Sequence, residues 1–119
     1  MDTKKRAVYD SQNYFSRFLK YQFMNTFEFD SFRNFKSFEK TINDYAGIVF
    51  VIYSEEEIVN LMRIYKNGIP LIVCTFNEKL LLKMRQIDEI LLLDTSKIKS
   101  EVIVELRKYL ENTKETMVA

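Results

Sequence analysis

The chain has 119 residues with a net charge of +1, and 47% of its residues are hydrophobic and 29% charged. This composition is typical of one soluble globular domain, and its balanced charge offers no basic field for nucleic acid or anionic lipid. With no histidine and one cysteine, Cys74, the chain lacks the residues for a disulfide, a Cys/His zinc site, a Ser-His-Asp triad or a Cys-His pair. Its two glycines, Gly47 and Gly68, are too few for a glycine-rich phosphate loop.

The apolar runs of the sequence are short. The longest of them, such as 48–53, could not span a bilayer, and the charged segment 1–6 is not followed by a long apolar stretch. We therefore expect a cytoplasmic protein with no membrane partner, and the unpaired Cys74 agrees with a reducing compartment.

The first half of the chain predicts two strands and two helices. A strand over 5–9 is followed by a helix ending near Asn25, because apolar residues recur there at i, i+3, i+4 and i+8. A second strand over 27–30 alternates in polarity, and the helix after it is closed by Asn43 and Asp44. The apolar faces of the two helices comprise Phe15, Phe18, Leu19 and Phe23, then Phe35, Phe38, Ile42 and Tyr45.

Three largely apolar runs, over 48–53, 69–76 and 90–93, predict three buried strands. The first of them is continuously β-branched or aromatic, which is typical of a strand covered on both faces. Such strands belong in the centre of a parallel sheet.

The helices between and after these runs have their own start and stop signals. Ser54 and Glu57 have the spacing of a capping box, and Asn77 can cap the next helix. Gly68 and Pro70 end the helix that starts at Ser54. The apolar faces comprise Ile58, Leu61, Met62 and Tyr65; Leu80, Leu81, Met84 and Ile87; and Val102, Ile103, Leu106, Tyr109 and Leu110.

Strand and helix thus alternate five times. This order predicts an α/β fold in which a single doubly wound, five-stranded parallel sheet carries five helices on its two faces. One domain covers 1–119, with its core over 5–112 and a frayed tail over 113–119.

Ligands of such sheets bind beyond the carboxyl ends of the strands. Polar residues stand at four of the five predicted strand ends, where they form a candidate pocket. They are Asp10, Ser11, Tyr53, Thr75, Asp94 and Thr95.

The alternation, the length, the acidic Asp10, the hydroxyl of Thr75 and the helical C-terminal segment together resemble the receiver domain of bacterial response regulators. The resemblance covers roughly 5–112 and implies a flavodoxin-like fold and a role in two-component signal transduction. Receivers hold Mg²⁺ with an acidic pair after strand one and accept a phosphoryl group on an aspartate at the end of strand three. A Ser or Thr after strand four and a Lys after strand five then read the phosphoryl group.

The sequence departs from this pattern where the chemistry occurs. Asp10 is followed by Ser11 rather than by a second carboxylate, and the acceptor position falls at Tyr53 or Ile52. The lysine expected after strand five is missing, because Lys97 is displaced and lacks the usual following proline. The resemblance is therefore to a degenerate pseudo-receiver that lacks the phosphoacceptor aspartate.

Each retained residue also has a structural explanation. Asp10 can cap a helix or act as a lone metal ligand, and Thr75 can bond to backbone or act as a switch residue. Tyr53 can plug the former acceptor pocket or simply be a half-buried strand-end tyrosine. The acidic run 55–57 suits the first turn of a helix better than a metal site, and Cys74 suits the core.

Eight of the ten phenylalanines lie within 15–38. They can fill core volume, or some can form an exposed patch that marks a partner surface. The residues expected to be most exposed are Phe27, Phe29 and Phe32.

The leading hypothesis is a non-catalytic signalling or scaffold module that binds another protein or a second copy of itself. It predicts no enzyme activity and no cofactor, with Mg²⁺ at Asp10 as the single candidate. The predicted interaction face, on helix four, strand five and helix five, includes Lys83, Arg85, Lys97 and Arg107.

Two alternatives stay open. One is an active receiver that is phosphorylated on a shifted carboxylate such as Asp10, Glu55 or Asp94. The other is a flavodoxin-like binder of a small ligand in the same crevice.

Overall fold

The structure is a computed structural model that describes residues 5–23, 25–65, 67–88, 90–94 and 99–118. Five strands and five α-helices alternate along the chain. They are β1 (Arg6–Tyr9), α1 (Phe15–Gln22), β2 (Phe29–Phe32), α2 (Phe35–Thr41), β3 (Gly47–Ile52), α3 (Glu55–Ile64), β4 (Leu71–Thr75), α4 (Glu78–Met84), β5 (Leu91–Asp94) and α5 (Lys99–Val118). A short 3₁₀-helix (Ile42–Asp44) extends α2.

The strands form one sheet in the order β2-β1-β3-β4-β5, and every neighbouring pair is parallel. This arrangement confirms the predicted α/β fold and is the flavodoxin-like order. Because β1 and β3 lie side by side while their connections leave in opposite directions, the carboxyl edge between them is the switch point of the sheet. Ligand sites of this architecture lie at that edge.

The helices cover both faces of the sheet. Helices α1 and α5 bury one face, where Leu19, Val49 and Leu106 belong to one buried cluster. Helices α2, α3 and α4 bury the other, where Phe38 and Leu61 belong to a separate cluster. The central strand β3 is buried along its whole length, as a run covered on both sides requires.

Helix starts and stops largely follow the predicted signals. The Asn77 side chain accepts hydrogen bonds from the backbone amides of Lys79 and Leu80, so it caps α4. Gly68 has a φ of +80°, the left-handed conformation that glycine adopts without strain, just after α3.

The capping-box prediction for α3 is wrong. Ser54 makes no side-chain cap, and the Glu57 carboxylate accepts instead from the backbone amide of Tyr53 at 2.8 Å. The buried face of α3 is also rotated relative to the prediction, because Ile64 is 3% exposed while Met62 is 47% exposed. Glu57 therefore shares the inward face with Leu61 and Ile64.

The predicted exposure of Phe27, Phe29 and Phe32 is also wrong. Phe27 and Phe29 are buried against α1 and α5, and the Arg6 guanidinium lies 4.5 Å from the centre of the Phe27 ring. Phe32 packs against the cluster on the opposite face. β2 covers 29–32 rather than 27–30, and although it is an edge strand it is covered by α1 on one face and by α2 on the other.

The last helix is longer than expected, since α5 continues to Val118 where a frayed tail was predicted from residue 113. None of the helices in the described part of the chain combines the length and the apolarity needed to cross a membrane.

Candidate functional site

Asp10 and Tyr53 meet at the switch point of the sheet. Asp10 follows β1 and is completely buried, and Tyr53 follows β3. The Tyr53 hydroxyl donates a hydrogen bond to Asp10 Oδ1 at 2.7 Å. This contact joins two of the predicted pocket residues across 43 positions of the sequence.

The carboxylate oxygens of Asp10 also accept hydrogen bonds from backbone amides at and just before the start of α1. Oδ2 accepts from the Ser16 amide at 2.9 Å, and Oδ1 also accepts from the Gln12 amide at 3.1 Å. Asn13, with a φ of +54°, turns the chain between them, and its side chain accepts from the Ser16 hydroxyl at 2.7 Å. Asp10 thus satisfies an amide that the first turn of a helix leaves free, which is the capping role.

Glu57 is a second carboxylate at this edge, which the sequence analysis assigned only to the start of a helix. It is 8% exposed, and its Oε2 accepts from the Ser11 hydroxyl at 2.7 Å while its Oε1 accepts from the Tyr53 amide. Ser11 and Tyr53 therefore connect the two carboxylates of Asp10 and Glu57. The spacing of Glu57 from Leu61 and Ile64, four and seven residues on, could have revealed it as an inward-facing residue of α3.

Thr75 ends β4 and is 1% exposed. Its hydroxyl oxygen accepts from the Asn77 amide at 3.2 Å, which is the backbone contact that one of the two predicted roles describes. Asp94 lies beside Thr75 in the register of β4 and β5. The sixth pocket residue, Thr95, lies outside the described residues.

An aromatic layer covers the Tyr53 side of this edge. The Phe76 ring stacks on Tyr53 with centroids 6.0 Å apart, and the rings of Phe15 and Tyr14 each approach Phe76 edge-on at 5.8 Å. Phe76 was predicted only as the end of a strand. Its position above Tyr53 fixes the ring whose hydroxyl reaches Asp10.

The electrostatics of the site favour its neutral tyrosine. Burial and the hydrogen bond to Asp10 raise the pKa of Tyr53 far above its ordinary value. Burial also raises the pKa of the Cys74 thiol, which lies within β4. The thiol therefore stays protonated, and a protonated thiol is a poor nucleophile. Cys74 is therefore a core residue, as predicted.

Two more tyrosines pair with carboxylates elsewhere in the fold. The Tyr45 hydroxyl donates to Asp30 Oδ2 at 2.9 Å, and the Tyr109 hydroxyl donates to Glu105 Oε1 at 3.0 Å. Burial and these acidic partners raise the pKa of Tyr45 and the pKa of Tyr109 from 10.0 to about 12.

We expect these two pairs to make the protein less stable as the pH rises from 10 to 12. The unfolded chain loses the tyrosine protons near pH 10.0, whereas the folded protein keeps them until about pH 12. The two pairs thus make their whole contribution to the free energy of unfolding below pH 10, and this contribution falls as the pH rises through the window. Urea melts at pH 10 and pH 12 should show that the free energy of unfolding falls less in the double variant Tyr45→Phe/Tyr109→Phe than in the wild type. An equal fall in the two proteins would contradict the assignment.

The described residues of the predicted interaction face do not all lie on one surface. Lys83 on α4 forms an ion pair with Glu55 of α3, and Arg85 is exposed at the end of α4. Arg107 of α5 instead lies 5.5 Å from the centre of the Phe23 ring, on the side of α1. Lys97 lies outside the described residues.

Hydrogen bonds make up the polar contacts that the structure shows around Asp10 and Glu57. Within the described ranges, no three or more His, Cys, Asp or Glu side chains are grouped closely enough to hold a metal ion. Every buried side-chain nitrogen or oxygen in those ranges has a hydrogen-bond partner. Comparisons of the chain with protein-family models, with curated proteins and with solved structures found no match.

Proposed function

We propose that the protein is a non-catalytic pseudo-receiver that acts by binding another protein, independently of phosphorylation. The observation that carries the proposal is the hydrogen bond from the Tyr53 hydroxyl to Asp10 Oδ1 at 2.7 Å. In a receiver the carboxylate after strand one would face a metal ion. Here Asp10 is engaged by the protein's own donors on both of its oxygens.

The absence of an acceptor carboxylate supports the same proposal. Ile52 is the last residue of β3 and Tyr53 follows it, so no aspartate stands where a receiver carries its nucleophile. Glu57, the other buried carboxylate at this edge, is held by Ser11 and by the Tyr53 amide. A carboxylate that is buried and fully hydrogen-bonded is poorly placed to attack phosphorus.

Radiolabelled acetyl phosphate tests the chemical half of the proposal. We expect no covalent labelling in the presence of Mg²⁺, and no shift of the Asp10 and Thr75 amide signals when Mg²⁺ and beryllofluoride are added. Label that disappears in Asp10→Asn would overturn the proposal in favour of an active receiver. Asp94→Asn tests the other shifted carboxylate in the same way.

Affinity capture from the native lysate tests the binding half. We expect a signalling protein to be recovered in equal amount with and without acetyl phosphate. A partner that is recovered only in its presence would contradict independence from phosphorylation. If no protein is retained at any bait concentration, the adaptor role is wrong.

A further inference from the structure

Asn67 and Gly68 form an exposed pair in the connection between α3 and β4. Gly68 has a φ of +80°, and a side-chain carbon built on it would meet no atom within 4 Å. The space around this pair is therefore open to water. Because glycine has no side chain, nothing attached to residue 68 shields its main-chain nitrogen.

The Asn67 side chain differs in its contacts from other asparagines of the chain. Asn13, Asn34 and Asn77 each accept a hydrogen bond from the start of the helix that follows them. Within the described ranges, neither the side chain of Asn67 nor the main-chain amide of Gly68 makes a hydrogen bond. Both groups are thus free to move relative to each other.

This freedom permits a reaction within the chain. When the Gly68 nitrogen loses its proton to a base in the solvent, it can attack Cγ of Asn67, and the closeness of the two atoms replaces an encounter between molecules. The bond from nitrogen to Cγ forms, the bond from Cγ to Nδ2 breaks, and Nδ2 takes up a proton and leaves as ammonia. Water then opens the cyclic imide at either carbonyl, which leaves aspartate or isoaspartate at position 67.

We propose that Asn67 is a site of self-modification, at which the Gly68 nitrogen converts the side-chain amide into a carboxylate in the folded protein. The reaction consumes water and releases ammonia, and it needs no oxidant or reductant. It is independent of the protein-binding role proposed above, so its failure would leave that role standing.

The position of Asn67 gives the reaction a structural effect. Pro70 lies three residues further on, just before β4, and its carbonyl accepts from the Ile48 amide of β3 at 2.9 Å. In isoaspartate the main chain runs through the side-chain carbon, which lengthens the connection between α3 and this fixed point. We therefore expect the modified protein to unfold at a lower urea concentration than the fresh protein.

Ageing of the intact protein at neutral and at mildly alkaline pH tests the proposal. We expect one ammonia to be released per chain and the isoelectric point to fall, because the net charge goes from +1 to zero. The rate should rise with pH, since the Gly68 amide must first lose its proton. In the tryptic fragment 67–79, sequencing by mass spectrometry should find the acid at position 67 while Asn77 remains an amide.

A synthetic peptide of residues 62–73 sets the duration of the experiment. If the peptide is fully converted while the folded protein keeps its amide at position 67, the fold protects the pair and the proposal is wrong. Conversion of Asn77 as fast as Asn67 would also overturn it, because Asn77 is held by the amides that it caps.

Asn67→Gln removes the reaction while keeping an amide, since the longer side chain must close a larger ring. This variant should keep its isoelectric point and its urea midpoint on ageing. Asn43→Gln is the matched control, because Asn43 is also exposed but is followed by Asp44 instead of glycine, and it should age as the wild type does. Equal ageing of Asn67→Gln and the wild type would contradict the assignment to Asn67.

Discussion

Replacing Asp10 with alanine is expected to lower the free energy of unfolding by about 3 to 5 kcal/mol. Asp10 is completely buried and accepts from the Tyr53 hydroxyl and from the Gln12 and Ser16 amides. Its removal leaves three donors without their acceptor, each at a cost of about 1 to 3 kcal/mol, while the relief of a buried charge offsets part of this. The loss is a large fraction of the roughly 5 to 15 kcal/mol that stabilises a domain.

The chain has no tryptophan, so urea melts would be followed by circular dichroism. Asp10→Asn should lower the free energy of unfolding less than Asp10→Ala does, because the asparagine side chain still has one of the two acceptor oxygens. Asp88→Asn, at an exposed position, is the control and should stay within about 0.5 kcal/mol of the wild type. A similar small effect in Asp10→Ala would show that the carboxylate does not hold this edge together.

The bond between Tyr53 and Asp10 can be separated from the other two. In a double-mutant cycle of Asp10→Ala with Tyr53→Phe, the combined loss should be about 1 to 2 kcal/mol smaller than the sum of the single losses. Strictly additive losses would mean that the two side chains do not act on each other in solution. The Tyr53→Phe ring keeps its stacking on Phe76, so the cycle reports the hydroxyl alone.

The sequence predicted the fold well because the fold depends on local periodicity. Continuous apolar runs marked β3 and β4, and spacings of three and four marked α1 and α2, so the alternation and the parallel sheet followed. The errors occurred at the ends of elements. β2 begins two residues later than predicted, and its phenylalanines are covered because helices pack on both faces of this edge strand. In α3 a single apolar residue, Met62 in place of Ile64, changed the inward face.

The site was predicted as a set of residues but not as a set of contacts. Asp10, Ser11 and Tyr53 were identified because they follow strands, and parallel strands bring their carboxyl ends to one edge. The partners that satisfy them are 43 and 46 positions apart in the chain, and no local spacing encodes such a pairing. For Glu57 the local signal was misleading, since the Ser-x-x-Glu spacing describes a cap that the structure does not form.

The abundance of phenylalanine in the first part of the chain predicts a second large effect. Phe38→Ala is expected to lower the free energy of unfolding by about 3 to 5 kcal/mol, the range for large-to-small changes in a well-packed core. Phe38 is fully buried, and its ring lies 5.5 Å from the ring of Tyr9, 5.6 Å from that of Phe32 and 6.1 Å from those of Phe35 and Phe50. The α2 layer can hardly collapse into the resulting cavity, because these four rings are themselves held by the sheet and by one another.

Two further variants, Phe38→Leu and Tyr21→Ala, test whether the loss in Phe38→Ala comes from core packing or only from the loss of an aromatic ring. The leucine retains most of the apolar volume and should cost about 1 to 2 kcal/mol, whereas Tyr21→Ala removes a ring that is 75% exposed and should cost about 0.5 kcal/mol or less. Equal losses for Phe38→Ala and Tyr21→Ala would contradict the assignment of these phenylalanines to the core. The expected ranking instead assigns the stabilising effect to the buried rings, because only they lose packing contacts when they are truncated.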